Sequence, residues 1–192
     1  MEVLDAAERL LARQPYTSIS VQQIAEESEF SVGYLYKLFA SKDELYLALV
    51  EHRKDEILEL IESVSEQATC FTEGLRTLVS SIQIWLREHE GFARDNRTEL
   101  MVLLQRHHKC VEDLEEKDAR MQRPVLALFG RGIEEGVVGG ADPELMARTL
   151  RALIWGYTSD DFHPAEETLS NHAEHIVQII LRTYSPHWKE HD

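Results

Sequence analysis

Apolar residues recur along this chain at intervals of three and four and never alternate one by one over a useful length, which is the signature of helices rather than strands. Val3, Leu4, Ala7, Leu10 and Leu11 form the first stripe. It ends near Arg13, because Pro15 disfavours helical geometry at Gln14. Ser20 with Gln23 three residues on spells a capping box and predicts a short helix over 21–28. Ser31 caps a second short helix over 32–38, and Ser41 with Glu44 opens a long one at Lys42. Its stripe runs through Leu45, Leu49, Ile57, Leu58 and Ile61.

Longer helices fill the remainder. One spans Phe71 to Leu86 and another about Phe92 to Gln105; a third spans Leu114 to Ile133, with Pro124 expected to kink or restart it. Gly136, Gly139 and Gly140 mark a turn, and Asp142 caps a helix whose first residue is Pro143. The last helix opens at Pro164, has Glu166 and Glu167 in its first turn, and ends near Pro186. The chain thus reads as all-α with about nine helices. The pattern divides the chain into a segment of three short helices over 1–46 and a larger segment of longer helices over 47–192.

The stretch from Val21 to Leu38 carries the most specific chemistry. Two short helices that cross steeply need a small residue at the crossing, and Ala25 supplies it. Ile24, Phe30, Val32, Leu35 and Leu38 fall where the pair must bury an inner face. Gly33, Tyr34, Tyr36 and Lys37 are left on the outer face of the second helix. Gly33 lets the backbone approach a duplex closely, Tyr and Lys donate to phosphates and base edges, and the helix start at Ser31–Val32 offers free N–H groups. This is the pattern of a helix-turn-helix, with Lys42 within reach of the flanking backbone.

Charge complicates that picture. The 192 residues carry a formal net charge of −15. Residues 1–50 hold four basic side chains (Arg9, Arg13, Lys37, Lys42) against eight acidic ones, a balance of −4, so most of the acidity lies elsewhere. The reading segment is nevertheless not basic, which counts against phosphate binding. With 43% hydrophobic and 29% charged residues the composition is that of a folded globular chain. No apolar run reaches the roughly 20 residues of a membrane span, and no charged-then-apolar leader opens the sequence, so no membrane partner and a cytoplasmic location are expected. The two cysteines, Cys70 and Cys110, are too few for a disulfide framework.

Residues 3–51, VLDAAERLLARQPYTSISVQQIAEESEFSVGYLYKLFASKDELYLALVE, resemble the N-terminal domain of the TetR family of transcriptional regulators. The resemblance rests on the AA pair of the first helix, the S-V-x-x-I-A opening of the second, the S-x-G-x-L-Y-x-x-F recognition helix and the S-K-x-E-L that follows. A weaker echo, EEGVVGGADPELMARTLRALIWG at 134–156, resembles the entry to that family's eighth helix. The resemblance implies that Ser20 and Gln22 touch phosphate, that Ser31, Val32, Gly33 and Tyr34 lie in or near the major groove, and that Tyr36, Lys37 and Lys42 hold the DNA backbone. It also implies a homodimer on palindromic operator DNA, usually a repressor, released by a small molecule in the C-terminal domain. Two departures bear on the grip. Glu29 stands where the family usually has Gly, and the family's basic residues ahead of the first helix are missing.

The last two helices carry broad apolar stripes. The family's four-helix dimer bundle would draw on Leu150, Leu153, Ile154 and Tyr157 from one, and on Leu169, Ala173, Ile176, Val177 and Ile180 from the other. Such a two-fold dimer sets the recognition helices roughly 34 Å apart. Trp85, Phe92, Met101, Leu104, His108, Phe129 and Trp155 are the candidate walls of an apolar effector pocket. No cofactor is expected. His107, His108 and Cys110 sit close together, but a closed zinc site wants four donors, so no metal is expected. No nucleophile triad or phosphate loop appears, and Asp160, Asp161 and His163 read as a solvated loop, so the chain is not expected to be an enzyme. The competing reading is the same scaffold with operator binding lost, acting as a ligand-binding or protein-interaction module.

Overall fold

The computed structural model describes residues 2–89, 102–104, 108–156 and 166–186, and the side chains of these except 108–111 and 166–170. Among them the regular structure is helical: α1 (Glu2–Leu11), α2 (Val21–Glu27), α3 (Val32–Leu38), α4 (Lys42–Gln67), α5 (Phe71–Glu88), α6 (His108–Glu134), α7 (Pro143–Gly156) and α8 (Glu166–Thr183). A 3-10 turn, Tyr16–Ser18, joins α1 to α2. No described helix is long and apolar enough to cross a membrane. The chain divides into two compact units. One takes in Met1–Glu56 and Leu86–Lys117, the other Ile57–Trp85 and Asp118–Asp192.

The first unit is built on the short helices. Val3, Ala7, Leu10 and Leu11 of α1 pack with Ile24 and Ala25 of α2, Leu35 of α3, and Leu45, Leu49 and Val50 of α4 in one buried cluster, which Leu103 and Leu114 join. At the edge of that cluster lies a buried charge. The Arg53 guanidinium reaches Glu8 at 2.6 Å, Asp5 at 2.6 Å and Glu56 at 2.9 Å. Burial works against its positive charge, yet the carboxylates of Asp5, Glu8 and Glu56 more than offset this and hold the proton more firmly than usual. Removing the Arg53 guanidinium would strand the buried Glu8 carboxylate, at a cost of about 3–5 kcal/mol.

The second unit packs α5 against α6. Phe71 and Phe129 are fully buried, with ring centroids 5.5 Å apart. Gly132 permits the approach, since a Cβ there would fall 2.7 Å from the Phe71 ring. The Glu135 carboxylate accepts the Phe71 N–H at 3.0 Å, and Arg131 donates to the Ala68 carbonyl at 2.6 Å. Helix α6 is longer than the sequence pattern indicates and is not restarted at Pro124. Proline's missing N–H costs one rung of a ladder that is anchored beyond it by buried Leu128 and Phe129. Asp142 caps α7 as expected, accepting the Glu144 N–H at 3.0 Å. The expected helix over Phe92 to Gln105 lies outside the described residues except at 102–104, which are helical.

Candidate nucleic-acid interface

Local rules fix the ends of α2 and α3. The Ser20 hydroxyl accepts the Gln23 N–H at 3.2 Å while the Gln23 side chain accepts the Ser20 N–H at 2.8 Å, a complete capping box. Ser31 accepts the Tyr34 N–H at 3.1 Å and so starts α3. Between them α2 ends in a Schellman motif: the Phe30 N–H bonds the Ala25 carbonyl at 3.0 Å and the Glu29 N–H bonds the Glu26 carbonyl at 3.3 Å. The residue that turns the chain is Glu29, at φ 60, and it is the one non-glycine at positive φ among the described residues. The motif favours glycine there because a Cβ crowds the following carbonyl.

Buried Leu35 anchors α3 to the core, which leaves the opposite face to solvent. Ser31, Gly33, Tyr34, Tyr36 and Lys37 are all exposed, Tyr34 by 42% and Tyr36 by 55%; Val32 is half-buried. The Tyr34 ring stacks on Phe30 with centroids 4.8 Å apart, which fixes its position without burying it. A Cβ at Gly33 would meet nothing within 4 Å, so this face is open at its centre. Leu38 departs from expectation. It is 49% exposed rather than on the inner face. Residues four apart share a helix face, so the position of Tyr34 already places Leu38 outside, and half-buried Phe39 packs inward instead.

Gln22 and Ser20 are exposed at the start of α2. Lys42 is committed inward. Its ammonium donates to the Tyr16 carbonyl at 3.0 Å and to the Ile19 carbonyl at 2.9 Å, and lies 4.1 Å from the centre of the Tyr16 ring. Burial makes it a stronger acid than an ordinary lysine, with Asp43 opposing the shift. Two of its three donors thus hold the connection that delivers Ser20. The acidic side chains of this unit are largely satisfied internally. Glu27 pairs with Arg9 at 2.8 Å and Arg13 at 3.4 Å, Asp43 accepts from the Tyr16 hydroxyl, and Glu44 accepts from the Ala40 N–H.

Residues 3–49, the segment that holds this arrangement, match the family described as "Bacterial regulatory proteins, tetR family". That segment of the chain is therefore a TetR-family N-terminal domain. The chain is similar to the "Fatty acid metabolism regulator protein" of Bacillus subtilis (strain 168), 24% identical over 158 residues that cover 81% of this chain and 77% of that protein. Among solved TetR-like folds it superimposes on the ketosteroid transcriptional regulator KstR2 of Mycobacterium tuberculosis with a TM-score of 0.78 at 20% identity, over 96% of this chain and 93% of that one. It superimposes on FadR from Bacillus subtilis in complex with stearoyl-CoA with a TM-score of 0.73 at 16% identity, over 94% and 97%.

The apolar stripes of α7 and α8 face the interior of their own chain. Leu150, Ile154, Ala173, Ile176, Val177 and Ile180 are buried within a single chain, so they are core before any partner arrives. Leu153 is half-buried; Tyr157 and the Leu169 side chain lie outside the described residues. The exposed residues of α7 are Leu145, Ala152, Trp155 and Gly156 together with the charged Glu144, Arg148 and Arg151. Of the expected effector walls, Phe129 is fully buried against Phe71, Trp85 is buried, and Trp155 is exposed by 38%. Leu104 is half-buried in the first unit. Phe92, Met101 and His107 lie outside the described residues, as do the side chains of His108 and Cys110. Among the described residues no group of three or more His, Cys, Asp or Glu is placed to hold a metal ion. Sequence reasoning passed over one buried polar residue of α5, Gln83.

Proposed function

We propose that this regulator is a ligand-responsive repressor that binds palindromic operator DNA as a homodimer, with residues 1–46 reading the duplex and residues 47–192 holding the effector and the dimer contacts. The single observation that carries the reading is the outer face of α3, open at Gly33 and flanked by exposed Tyr34, Tyr36 and Lys37, on a helix whose start is fixed by Ser31. Ser31, Val32, Gly33 and Tyr34 would meet base edges, while Ser20, Gln22, Tyr36 and Lys37 would seat phosphates. Lys42 would serve by holding the Tyr16–Ile19 connection rather than by neutralising phosphate. The dimer would form through the exposed face of α7, where small Ala152 and Gly156 allow close approach beside Leu145 and Trp155. Effector release is a linkage effect, in which a ligand favouring the wrongly spaced dimer supplies about 1–3 kcal/mol of coupling. The similarity to a fatty acid metabolism regulator makes long-chain acyl compounds the first effectors to test.

Selection from random duplexes with the full chain tests the proposal. It predicts enrichment of an inverted repeat bound by two copies, with affinity that falls as salt rises. Recovery of no sequence preference at low salt would instead support a TetR-like scaffold that has lost its operator.

A further inference from the structure

Among the described residues three polar or charged side chains are buried: Glu8, Arg53 and Gln83. Arg53 donates to Glu8 Oε2 in the first unit, and Glu8 Oε1, which has no hydrogen-bond partner, lies 3.3 Å from the His89 ring. Gln83 does not share their arrangement. It lies on α5 in the second unit, at 3% exposure, and its Oε1 has no hydrogen-bond partner. Its position makes this notable. Phe71, Leu75 and Val79 are fully buried along α5 at four-residue spacing, and Gln83 is the next residue of that stripe. The sequence thus spends a core position of an apolar stripe on an amide. Buried polar groups in proteins are almost always paired, because an orphaned acceptor keeps the whole cost of losing its water. The serine hydroxyl of Ser65, also orphaned, is a weaker signal, since a helical serine can rotate onto its own backbone.

We infer that Gln83 is the polar anchor of the effector site, and that the effector is an apolar molecule carrying a hydroxyl or amide N–H that donates to Gln83 Oε1. The inference rests on the ligand-responsive reading above and names the chemistry of its ligand. Ligand pockets pair apolar walls with a few fixed polar groups, and one buried amide on an apolar stripe meets that description. A bound donor removes the penalty that the empty protein carries, so occupancy stabilises the second unit. The acceptor also sets selectivity, because an analogue without the donor leaves Oε1 desolvated and unpaired.

The test uses two probes that differ by one donor, N-methyldecanamide and N,N-dimethyldecanamide, titrated into the full chain by calorimetry and by thermal shift. Wild type is expected to bind the N–H amide at least tenfold more tightly than its dimethyl analogue. Gln83→Leu is expected to lose that preference, binding the two within about twofold, and to melt a few degrees higher than wild type without ligand, since an orphaned acceptor has gone. Gln83→Glu, which keeps an acceptor of similar shape, is expected to retain the preference at a pH where its carboxylate is ionised. Equal binding of the two probes by wild type, binding of neither, or a lower melting temperature for Gln83→Leu would each overturn the assignment. Operator binding measured on the same samples separates the two readings. A regulator that binds its operator but ignores the amide donor keeps the function and loses the anchor. Amide selectivity without operator binding does the reverse.

Discussion

Replacing Glu29 separates backbone strain from charge at the edge of the reading head. Glu29 holds the left-handed position of the Schellman turn between α2 and α3, at φ 60. A non-glycine residue there costs about 1–2 kcal/mol. Glycine removes that cost but gives back about 0.4–1 kcal/mol through the greater freedom of the unfolded chain. The net expectation for Glu29→Gly is a gain of roughly 0.5–1 kcal/mol, or about 1–4 °C in melting temperature for a chain of this size. The carboxylate is exposed beside the proposed phosphate seat. At a separation of about 10 Å in water it opposes one phosphate by about 0.4 kcal/mol, and two subunits together lower operator affinity about threefold at low salt. Glu29→Gln isolates the charge, since it keeps the Cβ and the strain. Melting scans and fluorescence anisotropy on the selected duplex in about 10 mM salt read both effects. Glycine should raise melting temperature and affinity together, and glutamine affinity alone. A lower melting temperature for Glu29→Gly, or equal melting shifts for the two variants, would refute the strain argument; unchanged affinity in both would refute the electrostatic one.

Other residues give further tests. Lys42→Met loses two charge-assisted bonds to the Tyr16 and Ile19 carbonyls. It should lower stability by about 2 kcal/mol and weaken operator binding with no change in salt slope; a slope reduced by about 0.9 per subunit at constant melting temperature would make it a phosphate contact. Ala152→Glu charges the exposed face of α7, so sedimentation should show monomers with wild-type helicity, whereas Ile176→Glu charges a fully buried position and should unfold the chain. The Arg9 hydrogen bond, opposed by desolvation and helped by the charges of Arg13 and Arg9, holds the Glu27 carboxyl below its usual value of 4.5. Its contribution is therefore complete above about pH 4.5 and lost as pH falls through the lowered folded value. Wild type should melt above Glu27→Gln at pH 6, and the gap should close on acidification; a gap that widens on acidification would reverse the sign.

Much of the reading head was legible because short-range rules set it. The Ser20 capping box and the Ser31 cap place α2 and α3 within one residue of their predicted bounds, whereas at Glu29 only the family's usual glycine, not a local rule, pointed to the positive φ that the structure carries. Periodicity fails where burial depends on who supplies the cover. The stripes through Leu150 and Ile176 are apolar in either case, and only coordinates show that their own chain covers them. Long-range partners are equally silent in sequence. Nothing at position 53 announces Glu8 45 residues away, and nothing at Lys42 announces the Tyr16 and Ile19 carbonyls. Gln83 was missed for a simpler reason, since an apolar stripe is recognised by its majority and hides the single polar member that breaks it.

The sharpest single measurement is the operator affinity of Gly33→Met beside its melting temperature. A Cβ at Gly33 would meet nothing within 4 Å, and exchanging a helical glycine for a better helix former should stabilise the free protein by about 0.5–1 kcal/mol. The same side chain would stand between α3 and a duplex. A variant that melts higher and no longer binds the selected operator is the predicted result; a variant that melts higher and binds as wild type does would mean that this face never meets DNA.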